Sequence, residues 1–253
     1  MSDEALPVNY QDASGAVRLP MAWELFVLGI ALISLLNLFL FALVRNDAVA
    51  QVVAVMDIGV TFVFVIDFAA RLSVAIDRRS YLTRGYGWLD LLSCIPGLRV
   101  VRFIRVIAVV RRFRARAHAE EDVDELFHNR ARAILLFVLL LTVLVIEFGS
   151  MAILAVEEPV QGSNIKTASD ALWYLVVTIS TIGYGDQYPV TNLGRLIGVA
   201  IIITGVALFS TLTGYLAHYF YTAGEGERRL VIERRRARLK RLEGKESNGD
   251  QAT

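Results

Sequence analysis

Thr181-Ile182-Gly183-Tyr184-Gly185-Asp186 is the stretch on which the reading of this chain turns. It lies between two long apolar runs and directly follows a shorter one, Ala168 to Ile179, of helical length. Gly183 and Gly185 tolerate backbone angles that residues with a Cβ disfavour. Two such glycines around an aromatic, preceded by a threonine, suit a backbone that turns its carbonyl oxygens toward an ion. Glycine-tyrosine-glycine alone is common and says little. The helical run before it and the apolar helix after it make it specific.

Composition agrees with burial in a membrane. The chain has 253 residues, 55% of them hydrophobic, and a mean hydropathy of +0.52. Four apolar runs stand out: Ala22 to Val44, Val52 to Ala75, Ala133 to Val156 and Leu196 to Tyr221. At about 1.5 Å per residue each crosses roughly 30 Å of hydrocarbon. They hold few ionisable groups: Glu24, then Asp57, Asp67 and Arg71, then Glu147, then His218. The first twenty residues are polar and acid-bearing, unlike a cleaved signal peptide. The single cysteine, Cys94, excludes an intrachain disulfide, and His118, His128 and His218 have no metal-ligand spacing. No phosphate loop, catalytic triad or metal cluster supports an enzyme, and neither a cofactor nor a nucleic-acid partner is expected.

The net charge of +1 hides an asymmetry. Basic residues gather at 78–84, at 111–132 and at 228–241, whereas the alternate loops are poor in them. The positive-inside rule then puts both termini in the cytoplasm and Asp186 on the outer side of the cell membrane. Six membrane segments fit this count, four before residue 116 and two around the glycine stretch. That stretch, with its short helix, forms a re-entrant element, tolerated at membrane depth only where it lines a watery path or is buried in protein. Thr167 or Ser169 would cap the short helix, with Asp170 in its first turn.

Arg99, Arg102 and Arg105 recur every third residue, skip Ala108, and resume at Arg111 and Arg114 among Val, Ile and Phe. Such a segment is costly in lipid without partners, and Asp57, Asp67 and Asp90 are candidates. Between it and the next apolar run, 115–129 is rich in acids. The tail from Glu225 to Gly244 is a good helix former, either weakly coiled-coil or lying basic on anionic headgroups. Glu246 to Thr253 is polar and expected to be without structure.

Thr178 to Asp186 resembles the selectivity filter of potassium channels. The arginine ladder, with Asp57, Phe64 and Asp67 spaced seven and then three apart, resembles the voltage-sensor domain of the six-segment, prokaryotic-type voltage-gated members. The resemblance covers about residues 22 to 221. It implies an all-α membrane protein: a cytoplasmic N-terminus (1–21), a voltage-sensor-like four-helix domain (22–114), an amphipathic linker (115–129), a pore domain (130–221) and a cytoplasmic tail (222–253). Thr181, Ile182, Gly183, Tyr184 and Gly185 would form the filter, with the carbonyls of the first four as potassium ligands. Four copies are needed to surround an ion, so a homotetramer among membrane lipids is implied. Asp186 would sit at the outer mouth, Trp173, Tyr174 and Thr178 would support the filter, and Gly205 matches a gating hinge. Arg99, Arg102, Arg105, Arg111 and Arg114 would sense voltage against Asp57, Asp67 and Asp90, with Phe64 as an aromatic plug. The function implied is a voltage-gated potassium channel. The alternatives are a potassium channel with a vestigial sensor, gated by lipid, pH or the filter, and a non-conducting sensor or scaffold.

Overall fold

A computed structural model describes residues 17, 19–43, 45–83, 87–92, 106–107, 110 and 130–249, with side chains as far as 221. Its elements are α1 (Met21–Leu43), α2 (Asp47–Val74), the short α3 (Arg78–Thr83) and α4 (Gly87–Leu92), α5 (Arg130–Glu157), α6 (Ala168–Ile179) and α7 (Asn192–Gly249). The chain is an all-α membrane protein. Four helices are long and apolar enough to cross a bilayer: α1, α2, α5 and the Asn192–Tyr221 part of α7. They match the four apolar runs of the sequence to within a few residues. In hydrocarbon a helix satisfies its backbone internally, so long apolar runs have little else to become.

The chain divides into two compact units, 1–209 and 210–253. In the first, α1 lies on α2 and α5, α2 also meets α5 and α6, and α5 packs along α6. Two apolar cores result. One gathers Val49 and Val52 of α2, Ile153 and Leu154 of α5, and Leu175 and Ile179 of α6. The other gathers Phe26, Val27 and Ile30 of α1, Val60 and Phe64 of α2 and Leu136 of α5, with Val106 packed against it. Large apolar side chains such as Phe39, Ile58, Phe62 and Ile203 face outward. That inverted surface suits lipid or another subunit. The second unit, in its described part, continues α7 to Gly249. The helix therefore runs through Glu246, where the polar sequence is expected to be without structure; Lys245 and Glu246 are themselves good helix formers. Of the third and fourth membrane segments only α4 and three further residues are described.

Local chemistry fixes the helix ends. Asn46 caps α2, its Oδ1 accepting from the Ala48 and Val49 amides at 2.9 and 3.2 Å. Its Nδ2 donates to Glu158 Oε2 at 3.3 Å, tying this corner to the end of α5. Lys166 Nζ donates to the carbonyls of Glu158 and Val160 just past that end, where helices leave carbonyls unanswered.

Inside the bundle, Arg71 is fully buried. Its Nη1 and Nη2 donate to Glu24 Oε1 and Oε2 at 2.9 Å each. Its Nε donates to both Asp67 oxygens at 3.2 and 3.1 Å, and Nη1 also reaches the Val17 carbonyl at 3.1 Å. Trp23 Nε1 donates to Asp67 Oδ1 at 2.8 Å. A buried guanidinium is costly unless paired, and the bidentate Glu24 carboxylate together with Asp67 answers it. Arg71→Met leaves Glu24 and Asp67 short of their shared guanidinium. The expected loss is about 3–5 kcal/mol, the usual cost of a broken buried pair. Thermal unfolding in detergent checks it. The triple neutral variant Glu24→Gln, Asp67→Asn, Arg71→Met should recover most of that loss, because stranded charge rather than lost attraction dominates it.

Candidate ion-conducting site

The site starts from a capped helix. Thr167 Oγ1 accepts from the Asp170 amide at 3.2 Å, and Asp170 Oδ2 accepts from the Thr167 amide at 2.9 Å. This capping box selects Thr167 over Ser169 as the start of α6. The negative end of the α6 dipole then falls at Ile179 and Ser180, beside Thr181, where it favours a cation.

The next residues hang from that helix end by their amides. Thr181 N donates to the Thr178 carbonyl at 3.0 Å, while Ile182 N and Gly183 N both donate to the Val177 carbonyl at 3.1 and 3.4 Å. Among the described residues, no donor is bonded to the carbonyls of Thr181 to Gly185. The backbone alternates in hand, with φ of 61° at Thr181, 61° at Gly183 and 78° at Gly185. In an extended strand successive carbonyls point to opposite sides. Reversing the hand at every second residue removes that flip and lets the carbonyls share one side. A Cβ built on Gly183 or Gly185 would meet nothing within 4 Å. Conformation, not space, therefore demands glycine there. Thr181 is β-branched and still left-handed, an outlier that the surrounding bonds must hold.

Around this backbone stands a polar clasp. Trp173 stacks on Tyr184, with ring centroids 5.8 Å apart and 3° between planes. Trp173 Nε1 also donates to Asp186 Oδ2 at 2.7 Å. Asn164 Nδ2 donates to the Asp186 carbonyl at 2.6 Å, and Asn164 Oδ1 accepts from the Tyr188 amide at 3.2 Å. Tyr174 lies in the core with Leu175, Ile179 and Ile201. Glu157 holds the far side. Its carboxylate is fully buried. Oε2 accepts from the Val190 amide at 3.1 Å, and Oε1 accepts from the Thr191 amide at 3.0 Å and its hydroxyl at 2.7 Å. The sequence reading places Glu157 in a polar outer stretch and gives it no role. Its only sequence signal is an acid closing an apolar span.

In the other half, Asp57, Phe64 and Asp67 all lie buried on α2, with Phe64 fully enclosed between the two acids. Asp90 of α4 accepts from Tyr81 Oη at 2.9 Å and lies within electrostatic reach of Arg71. Glu24, Asp67 and Asp90 thus surround one described guanidinium. Arg99, Arg102, Arg105, Arg111 and Arg114, like the linker 115–129, lie outside the described residues.

Residues 21–228 match the ion transport protein family. The chain belongs to that family. A voltage-gated potassium channel of Aeropyrum pernix is 43% identical over 88 residues, 35% of this chain and 29% of the relative. A calcium-gated potassium channel of Thermoplasma volcanium, TvoK, is 35% identical over 100 residues, 40% of this chain and 27% of the relative. The mouse potassium voltage-gated channel subfamily V member 2 is 40% identical over 105 residues, 37% of this chain and 19% of the relative. The chain thus spans about a fifth to a third of the length of these relatives. Family membership and these likenesses indicate a channel rather than an enzyme.

In this ion transport protein, then, Thr181 to Gly183 sit at the C-terminal end of α6 beside Thr178, while Tyr184 and Asp186 lie back against Trp173 in the middle of that helix. Gly205 belongs to an unbroken helix, and a Cβ there would come 2.8 Å from Ile179 Cγ1 and 3.1 Å from its Cα. At Gly205, α7 passes close to the end of α6. Glu157→Gln would set an amide NH₂ against donors that now share a carboxylate. The expected cost is about 1.5–3 kcal/mol, the worth of hydrogen bonds to a charged acceptor. It would be read as a lower unfolding temperature with faster hydrogen exchange at Val190 and Thr191. Unchanged exchange at those two amides would mean that the carboxylate does not hold the loop.

Proposed function

We propose that this chain is one subunit of a homotetrameric, potassium-selective channel opened by membrane voltage through residues 99–114. The observation that carries the pore half is the backbone of Thr181 to Gly185. The amides of Thr181, Ile182 and Gly183 are bonded rearward to α6, the carbonyls have no bonded donor among the described residues, and the hand alternates. Carbonyls at membrane depth need either donors or a cation, and a ring of four such strands supplies a dehydrated potassium ion with oxygens. One strand cannot do so, hence the tetramer. Ile182 and Tyr184 are 57% and 65% exposed in the single chain, consistent with cover from neighbouring copies. The relatives named as potassium channels support the same ion. Asp186 then lies at the outer mouth, Trp173 acts as filter support, and Gly205 is where a bend of α7 would open the inner end.

The voltage reading rests on charge. Glu24, Asp67 and Asp90 offer three carboxylates around Arg71 alone among the described residues, and Arg99 to Arg114 supply further cations. A charge crossing the field is worth about 2.3 kcal/mol per 100 mV. Two or three arginines in each of four subunits give roughly 18–28 kcal/mol, ample to bias a gate. A second reading has the same pore with a sensor that does not respond to voltage. Arg71 favours it, because a resident guanidinium already answers Glu24 and Asp67. Both readings put the termini in the cytoplasm and the basic tail near anionic lipid.

Recording from the purified chain in planar bilayers under potassium and sodium gradients separates the two. Potassium-selective current is expected, abolished by Gly183→Ala, since a Cβ in the left-handed region costs about 1–2 kcal/mol in each subunit. Arg102→Gln and Arg105→Gln should make the conductance–voltage curve shallower. Selective current indifferent to both arginine variants would leave the pore and remove the voltage sensor. Equal sodium and potassium permeability would overturn the pore assignment.

A further inference from the structure

A second set of buried polar side chains lies between α1, α2 and α5, apart from both Arg71 and the filter. Ser34 and Asn37 stand one turn apart on α1, Glu147 and Ser150 one turn apart on α5, and Asp57 faces them from α2. Ser34, Glu147 and Ser150 have no exposed surface, and Asn37 has 2%. The Asn37 amide lies against the Glu147 carboxyl group, with the Asp57 charge in electrostatic reach. Yet both Glu147 oxygens, both polar atoms of the Asn37 amide and the two serine hydroxyls lack a hydrogen-bond partner of good geometry. Six such atoms in one seam are far more than packing tolerates, since each unanswered polar group costs about 1–3 kcal/mol.

The hydrogen-bond inventory says what is missing. An ionised carboxylate only accepts, whereas an amide both donates and accepts. Placed side by side, the two groups leave Asn37 Oδ1 with no donor. One proton on Glu147 changes this. The acid O–H donates to Asn37 Oδ1, and Asn37 Nδ2 donates to the other Glu147 oxygen. That closes a cyclic acid–amide pair and answers four of the six atoms at once. The rotatable hydroxyls of Ser34 and Ser150 are left for the remaining lone pairs. A proton supplies that missing donor and needs no additional room.

We propose that Glu147, paired with Asn37, is a proton-binding site inside the membrane, at the seam where α1 and α2 meet α5. The proton comes from a solvent hydronium, whose O–H bond breaks as the Glu147 O–H bond forms, and it returns to water on release. Among the described residues, α2 presents Asp57 to it, and α1 presents the neutral Ser34 and Asn37, Glu24 being held by Arg71. Around Gly149 the neighbours from α6 and α7 are Leu175 and Ile201. Arg105, beside Val106, lies outside the described residues. Losing the proton would place an unanswered charge in the seam and alter how α1 and α2 seat on α5. The site depends on that packing and not on ion selectivity.

Infrared difference spectroscopy of the full chain in lipid, between acidic and alkaline buffer, tests it. The carbonyl stretch of a buried protonated carboxylic acid should be present in the wild type. It should be lost in Glu147→Gln, kept in Asp57→Asn, and shifted toward a free acid in Asn37→Leu. Glutamine imitates the protonated acid in shape and hydrogen bonding, so Glu147→Gln should fold with an unfolding temperature near that of the wild type. Carbon-13 labelling of glutamate carboxyl groups in the wild-type chain gives the same answer without a variant, because the band must move. A band that survives Glu147→Gln, that disappears in Asp57→Asn instead, or that ignores glutamate labelling overturns the proposal. Any of these would leave the carboxylate ionised against another cation.

Discussion

Hydrocarbon offers a buried polar group no partner, so each such group in this chain must be answered by another part of the same protein. Arg71 is answered by two carboxylates and a carbonyl. The amides at Thr181, Ile182 and Gly183 are answered by carbonyls at the end of α6, and those at Val190 and Thr191 by Glu157. Glu24 and Glu157 answer from a different element, so each also fixes a tertiary contact. Helix association in lipid gains little from hydrophobicity, because lipid tails are as apolar as leucine. The polar ties therefore set the register in which the apolar faces meet.

Applied to the stretch 181–186, the same rule separates scaffold from site. The amides of Thr181, Ile182 and Gly183 are bonded to Val177 and Thr178 behind, and Asp186 is held by Trp173 and Asn164 beside. The carbonyls are what remains. A left-handed β-branched residue at 181 is unfavourable by about 1–2 kcal/mol, and the amide bonds to α6 hold it there. Gly183 and Gly185 relieve the same demand at the other two positions. Strain, rearward amides and unbonded carbonyls make one statement about where a cation would find its ligands.

Much of this was legible in the sequence, for physical reasons. A bilayer imposes a minimum length on a helix, so four spans could be read from hydropathy alone. Gly183 and Gly185 are legible because few backbone shapes require glycine at alternate positions. The start of α6 was ambiguous between Thr167 and Ser169, although the acid three residues after Thr167 is the capping-box partner that decides it. Partnerships across the fold were not legible. Arg71 meets Glu24 47 residues away, and Glu157 meets Thr191 34 residues away. Spacing patterns on one helix carry no record of such pairs. Asp67 is read from the sequence as a counter-charge for distant arginines, which lie outside the described residues; in the structure it also pairs with Arg71, one turn along its own helix.

α5 is the element that both halves share. Its first half, around Leu136, belongs to the core with α1, α2 and Val106, and its second half, around Ile153 and Leu154, to the core with α6. Cores at native density do not deform continuously, so a change in how α1 and α2 seat has to move α5 or break contact with it. At its far end α5 carries Glu157, whose carboxylate fixes the loop at Val190 and Thr191, after the 181–186 stretch. Between the two cores lies Glu147, at the point where the polar demands of the first half meet those of the second. A charge placed or removed there would act on the α1–α2 seam and on the helix that holds the loop at 190–191 in the same event. Voltage, lipid and protons would then be different ways of loading one strut, and the physical difference between them is which charge is displaced against α5.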